Sequence, residues 1–125
     1  FYLLCGLAAS LAQVFLTPAS TLPGVGASGA ISGLLAAYVI MFGSNRVRVM
    51  MGGGIGTVPA YVMIGLWIVF QFVNGLAAFA ETAQTGGVAY GAHIGGFIAG
   101  LLLTLALRGL AGERLAGPAR SSRSR

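Results

Sequence analysis

Four apolar runs, separated by short stretches rich in proline, glycine, serine or charge, divide this chain. The first covers residues 1 to about 16 and gives way to Thr17-Pro18-Ala19-Ser20-Thr21-Leu22-Pro23-Gly24, a polar, turn-forming connection. The second runs from about Ser28 to Phe42. The third opens near Pro59, a residue suited to the first helical position because it has no N–H to leave unpaired, and continues to about Phe79. The fourth extends from about Val88 to Leu107. Residues 43–56, with the run Gly52-Gly53-Gly54-Ile55-Gly56, read as a loop, as do residues 80–87. Residues 110–125 are rich in serine, arginine and glycine and read as a disordered tail.

Composition turns these runs into membrane spans. Hydrophobic residues fill 57% of the 125 positions and charged residues only 7%, against about 25% charged in a soluble domain. The 21 glycines fit helices that pack closely in lipid. The expected fold is all-α: a polytopic transmembrane helix bundle with four spans in residues 1–109, then a basic cytoplasmic tail over residues 110–125. Phe1 already lies in apolar sequence with no basic leader, unlike a signal peptide. The expectation is an N-terminal truncation, with further helices in the parent protein.

The net charge of +5 comes from seven arginines without a lysine. Their positions argue against nucleic acid as a partner. Arg46 and Arg48 share one loop, while Arg108, Arg114, Arg120, Arg123 and Arg125 lie at or beyond the end of the last span. That is the positive-inside pattern, so the 43–56 loop and the tail face the cytoplasm and residues 17–27 and 80–87 face outward. The compact form points to a bacterial plasma membrane. Cys5 is the single cysteine, so no internal disulfide forms. One cysteine and one histidine cannot build a zinc site, and neither a metal nor an organic cofactor is expected.

Span lengths set depths. Span two has about 15 residues, or about 22 Å of helix, less than the ~30 Å hydrocarbon core. With its lower end held near Arg46, Ser28 at its upper end stops several Å below the outer surface. His93, the one histidine, precedes Arg108 by a similar length, again about 22 Å. Two separate arginine anchors thus put Ser28 and His93 at a common depth. Gly29 and Gly33 are four apart on span two, as are Gly96 and Gly100 on span four, on the helical face of His93. Such small-xxx-small faces bring backbones close, whether for a site or for packing alone.

Serine becomes a useful nucleophile with a base in hydrogen-bond reach. His93 is the candidate base, because lysine is absent and the two acids, Glu81 and Glu113, fall in an outer loop and the tail. A Ser-His dyad is therefore expected, with helix packing orienting the imidazole as a carboxylate does in a triad. At a helix start, Ser28 has free backbone N–H groups and the positive end of the dipole beside it. Gly26 lets the backbone of Gly26-Ala27-Ser28 approach a substrate carbonyl closely. Gln71 and Asn74 sit in span three, and nothing in the sequence places them near Ser28. Plainer readings exist: a serine at a helix start is most often an N-cap, and a membrane histidine also serves as a proton relay or a packed donor. Gly24-Val25-Gly26-Ala27-Ser28-Gly29 fits GxGxxG without the strand and acid of a dinucleotide site, and Gly26-Ala27-Ser28-Gly29-Ala30 is not GxSxG.

Gly26-Ala27-Ser28-Gly29 opening one span, with Ala92-His93-Ile94-Gly95-Gly96 and Gly100 in a later one, resembles the rhomboid family of intramembrane serine proteases from Phe1 to about Gly109. The resemblance implies that Ser28 is the nucleophile and His93 the general base, on the fourth and sixth helices of a core of six or more. The four spans would be core helices three to six. It also implies cleavage of transmembrane segments of other membrane proteins, in an aqueous cavity open to the outside and without a cofactor. Residues 80–87 match the family's cap, and span three matches the helix proposed to gate lateral substrate entry. Two departures stand out. The family's second core helix, with a His and an Asn that support the oxyanion, is not in this chain, so residues 1–125 alone are expected to be inactive. An aromatic residue that in some members packs on the catalytic histidine is replaced here by Ser32, which leaves Tyr90, one turn before His93, as a candidate to orient the ring.

The leading expectation is an intramembrane serine endopeptidase acting on transmembrane protein substrates in the lipid bilayer. The alternative is a catalytically inactive rhomboid-like protein that binds membrane clients; such proteins typically lose the serine or the histidine, and both are present. A third reading is an unrelated transporter or channel with a lone histidine, which predicts no selective role for Ser28.

Overall fold

Residues with high helix propensity dominate the apolar runs, and Pro18, Pro23 and Pro59 fall between them, so no missing N–H interrupts their helical ladders. The computed structural model describes residues 1–80 and 88–115. Within these, helix α1 is Tyr2–Leu16, α2 is Ser28–Phe42, strand β1 is Arg46–Met51, β2 is Gly54–Pro59, α3 is Ala60–Ala80 and α4 is Tyr90–Leu115. Two helices contain stretches long and apolar enough to cross a membrane, Ala60–Ala78 and Tyr90–Ala111. The apolar helices α1 and α2 have 15 residues each.

Three expectations need correction. Residues 43–56 are not a plain loop: β1 and β2 form an antiparallel hairpin, with Arg46 opposite Pro59 and Met51 opposite Gly54. Gly52 and Gly53 form its turn with φ of 46° and 108°, the pair of positive φ values that a tight two-residue hairpin turn requires. Pro59 closes β2 rather than opening α3. At the other end, α4 continues to Leu115, so residues 110–115 are helical rather than tail. The rest of the expected tail, and residues 81–87 with Glu81, lie outside the described residues.

The interior is built from small side chains. Cys5, Ala9, Ala30 and Ala36 are buried, while Leu3, Leu7, Leu11 and Phe15 of α1, Phe70, Val73 and Leu76 of α3 and Leu102 of α4 are exposed. A water-soluble domain does the reverse. Helices in lipid gain little by hiding large apolar groups from each other and associate through close backbone approach. Gly29 meets Ala9 and Ala92, Gly33 meets Cys5 and Gly96, and Gly100 meets Gly33. Contacts therefore advance together along α2 and α4, which run parallel, while α1 runs antiparallel to both. This places the C-terminal end of α1 and the N-terminal ends of α2 and α4 at one end of the bundle.

Candidate active site

Ser28 opens α2 without capping it. The capping position is Ala27 (φ −79°, ψ −3°), no side chain caps the helix, and the first helical bond runs from the Ile31 N–H to the Ala27 carbonyl at 3.0 Å. The N–H groups of Ser28, Gly29 and Ala30 thus precede the ladder and point out of the helix end. Ser28 is exposed. Gly26 has φ of +131°, a conformation that side chains disfavour, and a β-carbon there would stand 3.7 Å from Ser28 Oγ. The loop thereby turns into the helix directly beside the hydroxyl. The Ser28 carbonyl accepts a 2.8 Å hydrogen bond from Ser32 Oγ, and Ser32 is fully buried. Ser32 therefore braces the first turn of α2.

His93 lies in the first turn of α4 and is 9% exposed. Its N–H bonds the Ala89 carbonyl at 3.2 Å. Its Nδ1 is 2.7 Å from Gln71 Oε1 on α3. An amide oxygen only accepts, so Nδ1 carries the proton and Nε2 keeps its lone pair. Nε2 makes no hydrogen bond among the described residues, and no buried side-chain nitrogen or oxygen there lacks a partner; Nε2 is therefore open to whatever occupies the site. Trp67, one turn before Gln71, stacks at a tilt on the imidazole, with ring centroids 5.7 Å apart at 39°.

One residue is new here, and one expectation is corrected. Gln71, which no pattern tied to the site, is 5% exposed and bonded to His93. Tyr90 does not stack on His93 but packs over Gly75, whose added β-carbon would lie 3.3 Å from the Tyr90 Cβ. Asn74 bonds the Phe70 carbonyl of its own helix at 2.7 Å and stays apart.

A further polar residue holds the start of α4. Gln13 of α1 accepts a 3.0 Å bond from the Ala92 N–H and donates to Thr17 Oγ1 at 3.1 Å. The Ala92 N–H is one of the first-turn donors that a helix leaves without an internal partner. The signal for Gln13 and Gln71 was available: a buried amide in an apolar helix has a partner or is costly.

Ser28 and His93 flank a direct contact between their helices. A β-carbon on Gly29 would stand 3.3 Å from the Ala92 carbonyl oxygen, so the residue after Ser28 touches the residue before His93. No hydrogen bond joins Ser28 Oγ to the imidazole. Two clefts lie elsewhere, one lined by Ile40, Asn45 and Tyr61 and one at the hairpin turn. Among the described residues no three His, Cys, Asp or Glu side chains cluster as metal ligands would.

The family model described as the Rhomboid domain matches residues 1–110. No curated protein and no solved structure matches the chain.

Proposed function

The chain belongs to the rhomboid family of membrane proteins, whose members are generally intramembrane serine proteases, and from that premise we propose that it cleaves transmembrane segments of other membrane proteins through Ser28 and His93. The observation that carries this reading is the contact of Gly29 with Ala92, which holds a candidate nucleophile and a candidate base in adjoining first turns of parallel helices. In the proposed reaction Nε2 of His93 removes the Ser28 Oγ proton as Oγ attacks the scissile carbonyl carbon. The oxyanion develops beside the free N–H groups that open α2, where fixed donors and the helix dipole stabilise it. The imidazolium then returns its proton to the leaving amine. Water, activated by the same nitrogen, releases the acyl group from Ser28.

The proposed topology sets all four helices in the bilayer, with residues 17–27 outward and the hairpin and tail on the cytoplasmic side. Arg108 supports it by donating to the Ile40 carbonyl at 3.3 Å, which ties the lower ends of α2 and α4 to one level near Arg46. Ser28 is twelve residues above Ile40, or about 18 Å, inside a hydrocarbon core about 30 Å thick. A peptide reaches it only from within the membrane or through a water-filled opening.

The test is cleavage of a model transmembrane substrate by the full-length protein in membranes. Wild type cleaves, and Ser28→Ala and His93→Ala do not. Cleavage that persists in Ser28→Ala refutes the mechanism. Capture of the substrate by wild type without cleavage supports the client-binding alternative instead.

A further inference from the structure

In triads a carboxylate orients the histidine, and none is near His93 among the described residues. The hydrogen-bond partner of its ring is an amide from a different helix. Gln71 Oε1, 2.7 Å from Nδ1, admits only the tautomer in which Nε2 is unprotonated, and Nε2 is the nitrogen that a serine hydroxyl requires as acceptor. Trp67 covers the ring from one turn earlier, and Gly75, one turn later, lets α3 approach Tyr90 and Ile94 of α4. Three residues at i, i+4 and i+8 thus make one stripe of α3 that holds the base.

We infer that Gln71 is the positioning residue of the proposed dyad, keeping His93 in its proton-accepting tautomer, and that it does so only while α3 is docked against α4. The inference rests on the reading of Ser28 and His93 as nucleophile and base. Its second half follows from how unequally the helices are joined. Helices α1, α2 and α4 meet at glycines whose replacement would overlap a neighbouring backbone or β-carbon. Helix α3 has no such seam with them; it buries Ala60, Ile64, Gln71 and Gly75, while Leu66, Val69, Phe70, Val73 and Leu76 are exposed. An element with few buried contacts separates at the lowest cost. When α3 separates, Gln71 leaves Nδ1 and nothing else among the described residues specifies the tautomer.

The test uses the full-length protein and two readouts. Gln71→Leu removes the acceptor at similar size; Gln71→Glu keeps one at the same place. Gln71→Leu is expected to lower kcat for a transmembrane substrate about tenfold or more, less than the ~10²- to 10⁴-fold carried by a general base itself, with KM changed less than twofold. Gln71→Glu retains most of kcat. In 15N spectra of histidine-labelled protein, with the His93 signals assigned by their loss in His93→Ala, wild type shows Nδ1 protonated and Nε2 bare. Gln71→Leu shows a mixture of tautomers, and so does Gly75→Trp, which wedges α3 from α4 while keeping the Gln71 amide in the sequence. Wild type with Nε2 protonated overturns the inference, as does a Gln71→Leu spectrum unchanged from wild type, whatever its kcat. A Gly75→Trp spectrum unchanged from wild type overturns the dependence on docking. The spectra need no turnover, so they stand even if Ser28 proves not to be a nucleophile.

Discussion

Gly96 lies directly against the carbonyl oxygen of Gly29, leaving no room for a β-carbon between α2 and α4. One turn lower Gly100 stands in the same relation to Gly33. These contacts set the spacing of the helices that carry Ser28 and His93. Gly96→Ala forces the backbones apart, and overpacking of this kind costs about 1–3 kcal/mol. The expected outcome is a lower Tm of the full-length protein in detergent together with a loss of proteolysis. Gly65→Ala, where nothing lies within 4 Å of the added carbon, leaves both intact. Equal behaviour of the two variants would show that the glycine seam does not position the site.

Gln13 ties α1 to the start of α4 through the Ala92 N–H. Gln13→Leu leaves that donor unpaired in a half-buried position, a loss of about 1–3 kcal/mol. A reduced Tm and slower substrate cleavage are expected, because the residue after Ala92 is the proposed base. Gln13→Glu, which still accepts, retains most of both. Thermal unfolding and initial rates of the two variants, compared side by side, decide the point.

Topology is open to a labelling test. Cys5 is fully buried, so the native background is low. Ser20→Cys in the α1–α2 connection and Ile55→Cys in the hairpin both introduce a thiol at an exposed position. In intact cells an impermeant maleimide is expected to label Ser20→Cys and to reach Ile55→Cys only after the membrane is opened. Labelling of both from one side contradicts the assignment of the arginine-bearing end to the cytoplasm.

Much of this architecture was legible in the chain. The limits of α2 follow from Gly24 and Gly26 before it and Gly43 after it, and its short length was readable without coordinates. Ser28 and His93 stood out because a hydroxyl and an imidazole are rare in such apolar surroundings. What stayed hidden depended on which faces meet. In a helix apolar on every side, periodicity does not say which stripe turns inward, so Gln71 looked no closer to His93 than Asn74 did. The hairpin was concealed differently. Val47-Arg48-Val49 alternates as a strand does, but Gly52-Gly53-Gly54 reads equally as a flexible loop until pairing across it supplies the register. The end of α4 was placed too early because Arg108 marks a membrane boundary, and a helix is free to continue beyond one.

The most direct measurement is the site of modification by a serine-directed phosphonate probe. The full-length protein is treated in membranes, digested and analysed by mass spectrometry. One adduct is expected, on Ser28 Oγ, abolished in Ser28→Ala and strongly slowed in His93→Ala. An adduct on another serine, or labelling that survives Ser28→Ala, would contradict it.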